Sequence, residues 1–276
     1  MKKKLDKKFL IIIGVLLLIG IVLFIIKINN KEINFIVSAD NGLKISTDAK
    51  NWGINFDKES FLDTKNNYKD GINQITNVFG NVSTGGILRN GKLEIFSKEV
   101  LDNKIVATLD KEENCIGNGC NKEYLAFDMF FLLEEPSAIA ISDKSYIKSD
   151  EKYQNAFRVA LVIYGTVNSK QEDLAQSLDY GNNIIIWEPN SDFKEYAGIK
   201  HDFEVDKNKD YKNNLIKMTK NIVTASDFKG NKKIADLPSG ITKARVYIWL
   251  ESEDEDLEDN IICEEMDMNL DFTIID

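Results

Sequence analysis

The sequence predicts an all-β fold: an antiparallel β-sandwich, Ig-like or jelly-roll in type, with few short helices, behind one N-terminal transmembrane helix. Residues 9–26 form an apolar run without a charged side chain. Beyond residue 30, short apolar segments alternate with polar residues and are separated by Asn, Asp and Gly, which is typical of strands and turns. Helical periodicity is scarce, and we expect short helices only at residues 171–178 and 213–224.

The N-terminal segment is predicted to be a signal anchor over residues 9–28. The eighteen residues of the apolar run span about 27 Å as a helix, close to the hydrocarbon thickness of a bilayer. Residues 1–8 carry five lysines and one aspartate, a charge of +4. The positive-inside rule therefore places this tail in the cytoplasm and residues 29–276, as one domain, outside the cell membrane.

A cleaved signal peptide and, more remotely, a buried helix of a soluble protein are the alternatives to an anchor. The apolar region of such a peptide is normally shorter than this one and ends at a small-x-small site, which residues 27–31 lack. Val37-Ser38-Ala39 has suitable residue types but lies far beyond the apolar run.

The charge distribution excludes several functions. The 276 residues carry a net charge of −10, and subtracting the +4 of the tail leaves −14 for the remainder. This acidity argues against nucleic acid as a partner. The single histidine, His201, excludes a multi-histidine metal site and is not accompanied by a nucleophile elbow. No carboxylate spacing selects a glycosidase pair.

Four long segments are predicted to be strands, and their alternation predicts a core face. Residues 156–164 are apolar on both faces and are placed centrally in a sheet. The inward positions of the other three are Leu125, Phe127, Met129, Phe131 and Leu133; Ala244, Val246, Ile248 and Leu250; and Met266, Met268, Leu270, Phe272 and Ile274.

Turn signals predict two hairpins. Asp40-Asn41-Gly42 separates the alternating residues 33–37 from residues 43–45, and Asn90-Gly91 separates residues 87–88 from residues 93–96. A third short strand at residues 184–187 is stopped by Pro189.

Two arginines lie inside strongly apolar strands. For Arg158 and Arg245 we expect an ion pair with a carboxylate such as Asp128 on the same sheet.

An acidic stretch near the C-terminus is a candidate calcium loop. Residues 251–276 contain twelve Asp and Glu and no Lys or Arg. The metal candidates Asp254, Asp256, Glu258 and Glu265 match positions 1, 3, 5 and 12 of a calcium loop. Asp259 stands where such loops have glycine, so the alternative is a solvated acidic surface. We expect no cofactor other than this calcium.

Aromatic residues suggest a glycan site. Tyr247 and Trp249 share the less apolar face of one predicted strand, a geometry that suits stacking against a sugar ring. The alternative is that tryptophan in a sandwich belongs to the core.

Cys115 and Cys120 bracket a flexible Ile-Gly-Asn-Gly loop. They are either joined in a disulfide, in an oxidising compartment, or two free thiols. Cys263 is expected to pack as a small apolar residue.

Several stretches together resemble a known group of proteins. They are residues 43–48 with Trp52, 124–128, 157–160, 186–190 and 241–254. In this order they resemble uncharacterised anchored or secreted β-sandwich proteins of low-GC Gram-positive bacteria, and distantly the camelysin-type biofilm-matrix proteins. The R-V-x-I-W-x-E-x-x-D signature runs from Arg245 to Asp254, with Ser252 where the pattern has Gly and Leu257 where a Cys is frequent. The resemblance implies the fold but no catalytic residue.

The function expected from these observations is that of a membrane-anchored extracellular structural, adhesive or envelope-interaction module, non-enzymatic, that self-assembles or binds a cell-envelope partner. The alternatives are an extracellular module that binds glycan or calcium and, more remotely, a glycan-acting hydrolase.

Overall fold

The computed structural model divides the chain into two compact units, Met1–Glu32 and Ile33–Asp276. It describes residues 12–21, 32–40, 42–62, 73–80, 83–88, 93–101, 104–167, 183–189, 204–205, 216–218, 223–225, 230–252, 254, 257 and 262–275. In the first unit, residues 12–21 are helical. No helix among the described residues combines the length and the apolar character that crossing a membrane requires.

The second unit is built mainly from β-strands, which confirms the all-β prediction. The first seven strands are β1 (Ile33–Ala39), β2 (Lys44–Ser46), β3 (Asn55–Asp57), β4 (Gln74–Ile75), β5 (Phe79–Gly80), β6 (Ser83–Leu88) and β7 (Leu93–Leu101). The next seven are β8 (Lys104–Leu109), β9 (Cys115–Ile116), β10 (Tyr124–Leu133), β11 (Ser137–Ile141), β12 (Tyr146–Lys148), β13 (Phe157–Val167) and β14 (Asn183–Trp187). The last are β15 (Glu204–Val205), β16 (Ile216–Met218), β17 (Val223–Ala225), β18 (Lys232–Leu237), β19 (Gly240–Leu250), β20 (Ile262–Cys263) and β21 (Met266–Ile275).

These strands form three larger sheets and one two-stranded pair. Sheet I has the order β18-β11-β21-β1-β3, with β12 also paired to β21. Sheet II has the order β17-β14-β13-β19-β10-β4-β9, with β2 also paired to β10. Sheet III has the order β15-β8-β7-β6-β16, and β20 pairs with β5.

Sheets I and II share the main hydrophobic core. Phe35 of β1 stacks on Phe127 of β10 with ring centroids 5.0 Å apart, and Phe131 meets Phe272 of β21 edge-on at 5.2 Å. The core face predicted for the three long strands is confirmed, since all of its residues lie in or against this core. Burying each of the larger apolar side chains in this core contributes about 1.5–3 kcal/mol relative to leaving it exposed.

A second, smaller core lies on the other face of sheet II. There Leu93 and Ile95 of β7 pack with Ala160, Tyr247 and Trp249. Sheet II is therefore covered on both faces at this place, by sheet I on one side and by β7 of sheet III on the other. The central position predicted for residues 156–164 agrees with this arrangement, since β13 lies between β14 and β19.

Strand pairing departs from the purely antiparallel prediction. Among the described strand pairs, β1–β21, β14–β17, β15–β8 and β4–β9 are parallel. Of the two predicted hairpins, β6–β7 is confirmed, with Ile87 opposite Leu93. The other is wrong: the turn at Gly42 (φ +88°) forms, but β1 joins sheet I while β2 pairs with β10 of sheet II. The turn therefore carries the chain from sheet I to sheet II and does not join two paired strands.

The helix predictions fare less well. Residues 171–178 lie outside the described residues. The helix predicted over residues 213–224 is wrong where the chain is described, because β16 pairs with β6 and β17 begins at Val223. Pairing with a neighbouring strand overrides the weak local propensity. A short helix α1 (Lys58–Leu62) was not predicted, although Asp57 accepts from Ser60 N at 3.0 Å, as an N-cap does.

Candidate functional site

A buried network of charges lies on the face of sheet II that turns away from sheet I. Asp128 of β10 stands directly opposite Arg245 of β19. Arg245 Nη1 donates to Asp128 Oδ1 at 2.9 Å, and Lys243 Nζ lies 3.2 Å from Asp128 Oδ2. Arg245 Nη2 donates to Glu112 Oε2 at 2.5 Å. The prediction that Arg245 pairs with Asp128 is confirmed.

Burial sets the electrostatics of this network. The side chains of Asp128, Lys243 and Arg245 are only 4%, 2% and 5% exposed. Burial opposes the charged form of Arg245, but the charges of Asp128 and Glu112 outweigh it and raise the pKa of this guanidinium well above its ordinary value. The guanidinium also lies 5.4 Å from the centre of the Tyr247 ring, within the range of a cation–π contact.

A second buried cluster surrounds Arg158 of β13. Its Nη1 lies 3.1 Å from Glu188 Oε1, and its Nη2 donates to Asp254 Oδ2 at 2.6 Å. The side chains of all three are at most 1% exposed. Arg158 thus pairs with carboxylates, as expected, but not with Asp128. Glu188 directly follows β14 and Asp254 follows β19, so the arginine joins the ends of the two strands that flank β13 in sheet II.

This geometry bears on the calcium candidate. Asp254, the proposed first ligand, is directed at Arg158 in the interior and not at solvent. Glu265 is exposed, and its backbone carbonyl accepts from Ser149 Oγ at 2.5 Å. Asp256 and Glu258 lie outside the described residues. Within the described residues, no group of three or more His, Cys, Asp or Glu side chains is placed to hold a metal ion.

The glycan candidates are buried in the second core. Tyr247 is 4% exposed and Trp249 is 0% exposed. Trp249 Nε1 donates to Glu251 Oε2 at 2.9 Å, and Gly85 N of β6 donates to the same oxygen at 3.1 Å. The expectation that this strand face is open to a sugar is therefore wrong: sheet III covers it. Burial raises the pKa of Tyr247 well above its ordinary value, and Glu112 adds to this.

The two cysteines of the Ile-Gly-Asn-Gly loop are joined. Cys115 and Cys120 form a disulfide with their Cα atoms 4.8 Å apart. Gly117, between them, has φ +59°, a conformation that favours glycine. Cys115 N donates to Asn73 O at 3.1 Å, which fixes the loop to the start of β4. Cys263 is a buried free thiol, and burial raises its pKa.

Glu123 lies in an unfavourable place for a carboxylate. Burial, together with the nearby charge of Asp110, raises its pKa, while a hydrogen bond from Gly80 N opposes the shift. Its carboxylate approaches Gly80 so closely that a Cβ atom there would overlap with Glu123 Oε2. Gly80 therefore admits the carboxylate by having no side chain.

Sequence reasoning found the cations of these clusters but missed most of their partners. Arg158, Arg245 and Asp128 were recognisable because each is a charge within an apolar strand. Glu112, Glu188 and Glu123 stand just outside strands, where an acidic residue is ordinary and carries no signal. His201 lies outside the described residues. What the described arrangement does chemically is to neutralise charge inside the protein.

No known protein family matches the chain, and neither the curated proteins nor the solved structures contain a significant match.

The Asp128 network gives a first prediction. D128N leaves Lys243 and Arg245 buried without their shared carboxylate, and we expect it to lower the free energy of unfolding by about 3–5 kcal/mol in denaturant titrations. The control is D236N, which breaks the exposed Lys233–Asp236 pair (2.8 Å) and should cost under about 1 kcal/mol. Equal effects of the two variants would contradict the structural role of the network.

The disulfide gives a second prediction. In denaturant without reductant, an alkylating reagent should modify one thiol per chain, that of Cys263; after reduction it should modify three. Mass spectrometry of the intact chain counts the adducts. C115S/C120S should unfold at a lower temperature than wild type, because the cross-link restricts the unfolded chain. Three adducts without reductant, from protein purified without reductant, would show free thiols.

Glu123 gives a third prediction, on pH. A carboxyl group whose pKa is raised on folding binds its proton more tightly in the folded state. Protonation therefore contributes to the free energy of unfolding at low pH, and this contribution is lost as the pH rises through the pKa of the folded state. E123Q should therefore have a higher melting temperature than wild type at neutral pH, and the gain should shrink as the pH falls towards 4.5, the ordinary value for glutamate. E151Q, an exposed turn residue, is the control for loss of one charge. The same gain in both variants would refute the assignment.

Proposed function

We propose that this chain is a membrane-anchored extracellular structural or adhesive module, non-enzymatic, that acts by self-assembly or by contact with a cell-envelope partner. We also propose that its fold is a β-sandwich, Ig-like or jelly-roll in type, with sheets I and II as the two layers and sheet III as an addition. The shared core between sheets I and II supports this assignment.

The observation that carries the functional proposal is the use of the buried charges. Arg158 forms ion pairs with Glu188 and Asp254 at strand ends. Arg245 forms ion pairs with Asp128 on the neighbouring strand and with Glu112. Such pairs hold strands in place, whereas a catalytic or ligand-binding group must reach a substrate. The residues best suited to chemistry thus have a structural task.

The position of β1 supports an uncleaved anchor. The Val37-Ser38-Ala39 sequence lies at the end of β1, with Val37 and Ala39 0% and 4% exposed in the main core. Cleavage after Ala39 would remove a core strand and uncover the apolar face of sheet I. The basic residues 1–8 and the apolar residues 9–26 then remain attached to the domain and orient it outward.

The acidity of the exterior part fits an extracellular surface. A charge of −14 after the apolar run of residues 9–26 keeps a displayed domain solvated. The resemblance to anchored β-sandwich proteins of Gram-positive bacteria points the same way.

Membrane topology tests the proposal. With a C-terminal peptide tag, the full chain should stay in the membrane pellet after a carbonate wash, and protease added to intact cells should remove the tagged domain. As a control, replacing the five lysines of residues 1–8 by glutamine should give mixed orientation, because the positive-inside signal is lost. A released domain whose N-terminus lies beyond residue 28, or a tag that is protected in intact cells, would overturn the proposal.

A further inference from the structure

The first and last strands of the second unit are neighbours in sheet I and run parallel. Their register extends over seven residue pairs, from Ile33 opposite Met266 to Ala39 opposite Phe272. Just beyond, Asp40 N donates to Phe272 O at 3.0 Å. The strand that directly follows the N-terminal unit, β1, is therefore bound along its whole length to β21, the last strand of the second unit.

Parallel pairing decides how this ladder responds to force. In a parallel pair, the start of one strand and the end of the other lie at opposite ends of the ladder. A pull on the chain before Ile33, against the end of β21, therefore slides the two strands past each other, and all hydrogen bonds of the ladder carry the load together. Two strands pulled from the same end separate one hydrogen bond at a time.

Side chains add resistance to sliding. Ile33, Phe35, Val37 and Ala39 face the main core and are at most 4% exposed, so withdrawing β1 drags four apolar side chains out of it. On the other face, Ser38 Oγ donates to Asp271 Oδ2 on β21 at 2.7 Å.

The start of β1, where the tension is applied, is held by a further hydrogen bond. Lys58 of α1 is only 6% exposed, and its Nζ donates to Ile33 O at 2.6 Å and to Asn77 Oδ1 at 2.9 Å. The second edge of β1 is held by β3, with Val37 opposite Phe56, and by Ala39 N donating to Ile54 O at 2.9 Å. β1 is thus bound on both edges, on its core face and at its start.

We propose that the β1–β21 pair is a mechanical clamp, through which the domain withstands tension on the segment before Ile33. The source of that tension rests on the proposed function, since an anchored module that binds or assembles outside the cell is pulled against its anchor. The resistance itself is a property of the ladder.

Single-molecule force measurement on the full chain in detergent tests the clamp. One handle is attached through a peptide tag at the N-terminus, and the other either after Asp276 or within a tag inserted between Glu264 and Glu265. The first geometry shears the β1–β21 ladder, and the second opens it from one end. We expect a higher unfolding force in the shearing geometry, because all hydrogen bonds of the ladder are then loaded at once. Both tagged chains must first show the same melting temperature.

A matched pair of serine variants separates the clamp from general stability. Ser38 and Ser142 both donate to the carboxylate of Asp271, but only Ser38 lies on β1. S38A should lower the shearing force, whereas S142A should leave it unchanged. Equal forces in the two geometries, or equal effects of the two variants, would overturn the proposal. Membrane fractionation plays no part in this measurement, so a failed clamp and a failed anchor are distinguishable.

Discussion

Burial of sheet II on both faces is the constraint on which the rest of the structure depends. Its inner face meets sheet I in the main core, and its outer face, at Tyr247 and Trp249, is covered by β7. A sheet buried on both sides leaves no face on which a charge can be hydrated. Every charged residue of the central strands β10, β13 and β19 is buried and must then find a partner inside the protein. An isolated buried charge would cost more free energy than the net stability of a typical domain.

The buried ion pairs specify the register of the strands more than they stabilise the protein. Removing two charges from water offsets most of their attraction, so such pairs rarely stabilise more than well-packed apolar residues would. Asp128 and Arg245, however, stand directly opposite each other. Shifting β10 against β19 by one residue would turn one partner towards the main core, among Phe127, Met129 and Val246. We infer that this pair disfavours the neighbouring registers.

The alternation of apolar and polar residues predicted the features that depend on a single strand. It did not predict contacts between strands that are distant in sequence. The alternation in residues 124–133 and 266–274 was enough to assign their core faces, because one face of each meets one continuous core. It was not enough to show that the opposite face of β19 is covered, since β7 lies far away in the chain and carries an ordinary apolar pattern. The turn at Gly42 was found, but whether it joins paired strands or passes the chain between sheets is not encoded in the turn.

The same limit explains why residues that the sequence suggests for ligand binding are buried in the structure. Tyr247, Trp249 and Asp254 are residues that an exposed strand face or loop would present to a ligand, yet each is buried by an element distant in sequence. For β1, the sequence pattern indicated the strand but not its structural importance. Its alternation marked it as an ordinary strand, yet its neighbour is the last strand of the chain, about 230 residues away, as the Ser38–Asp271 contact spans. Because β1 supplies four side chains to the main core, the segment that leaves the N-terminal unit is itself a structural element of the domain. Any force or cleavage at that segment therefore acts on the core directly.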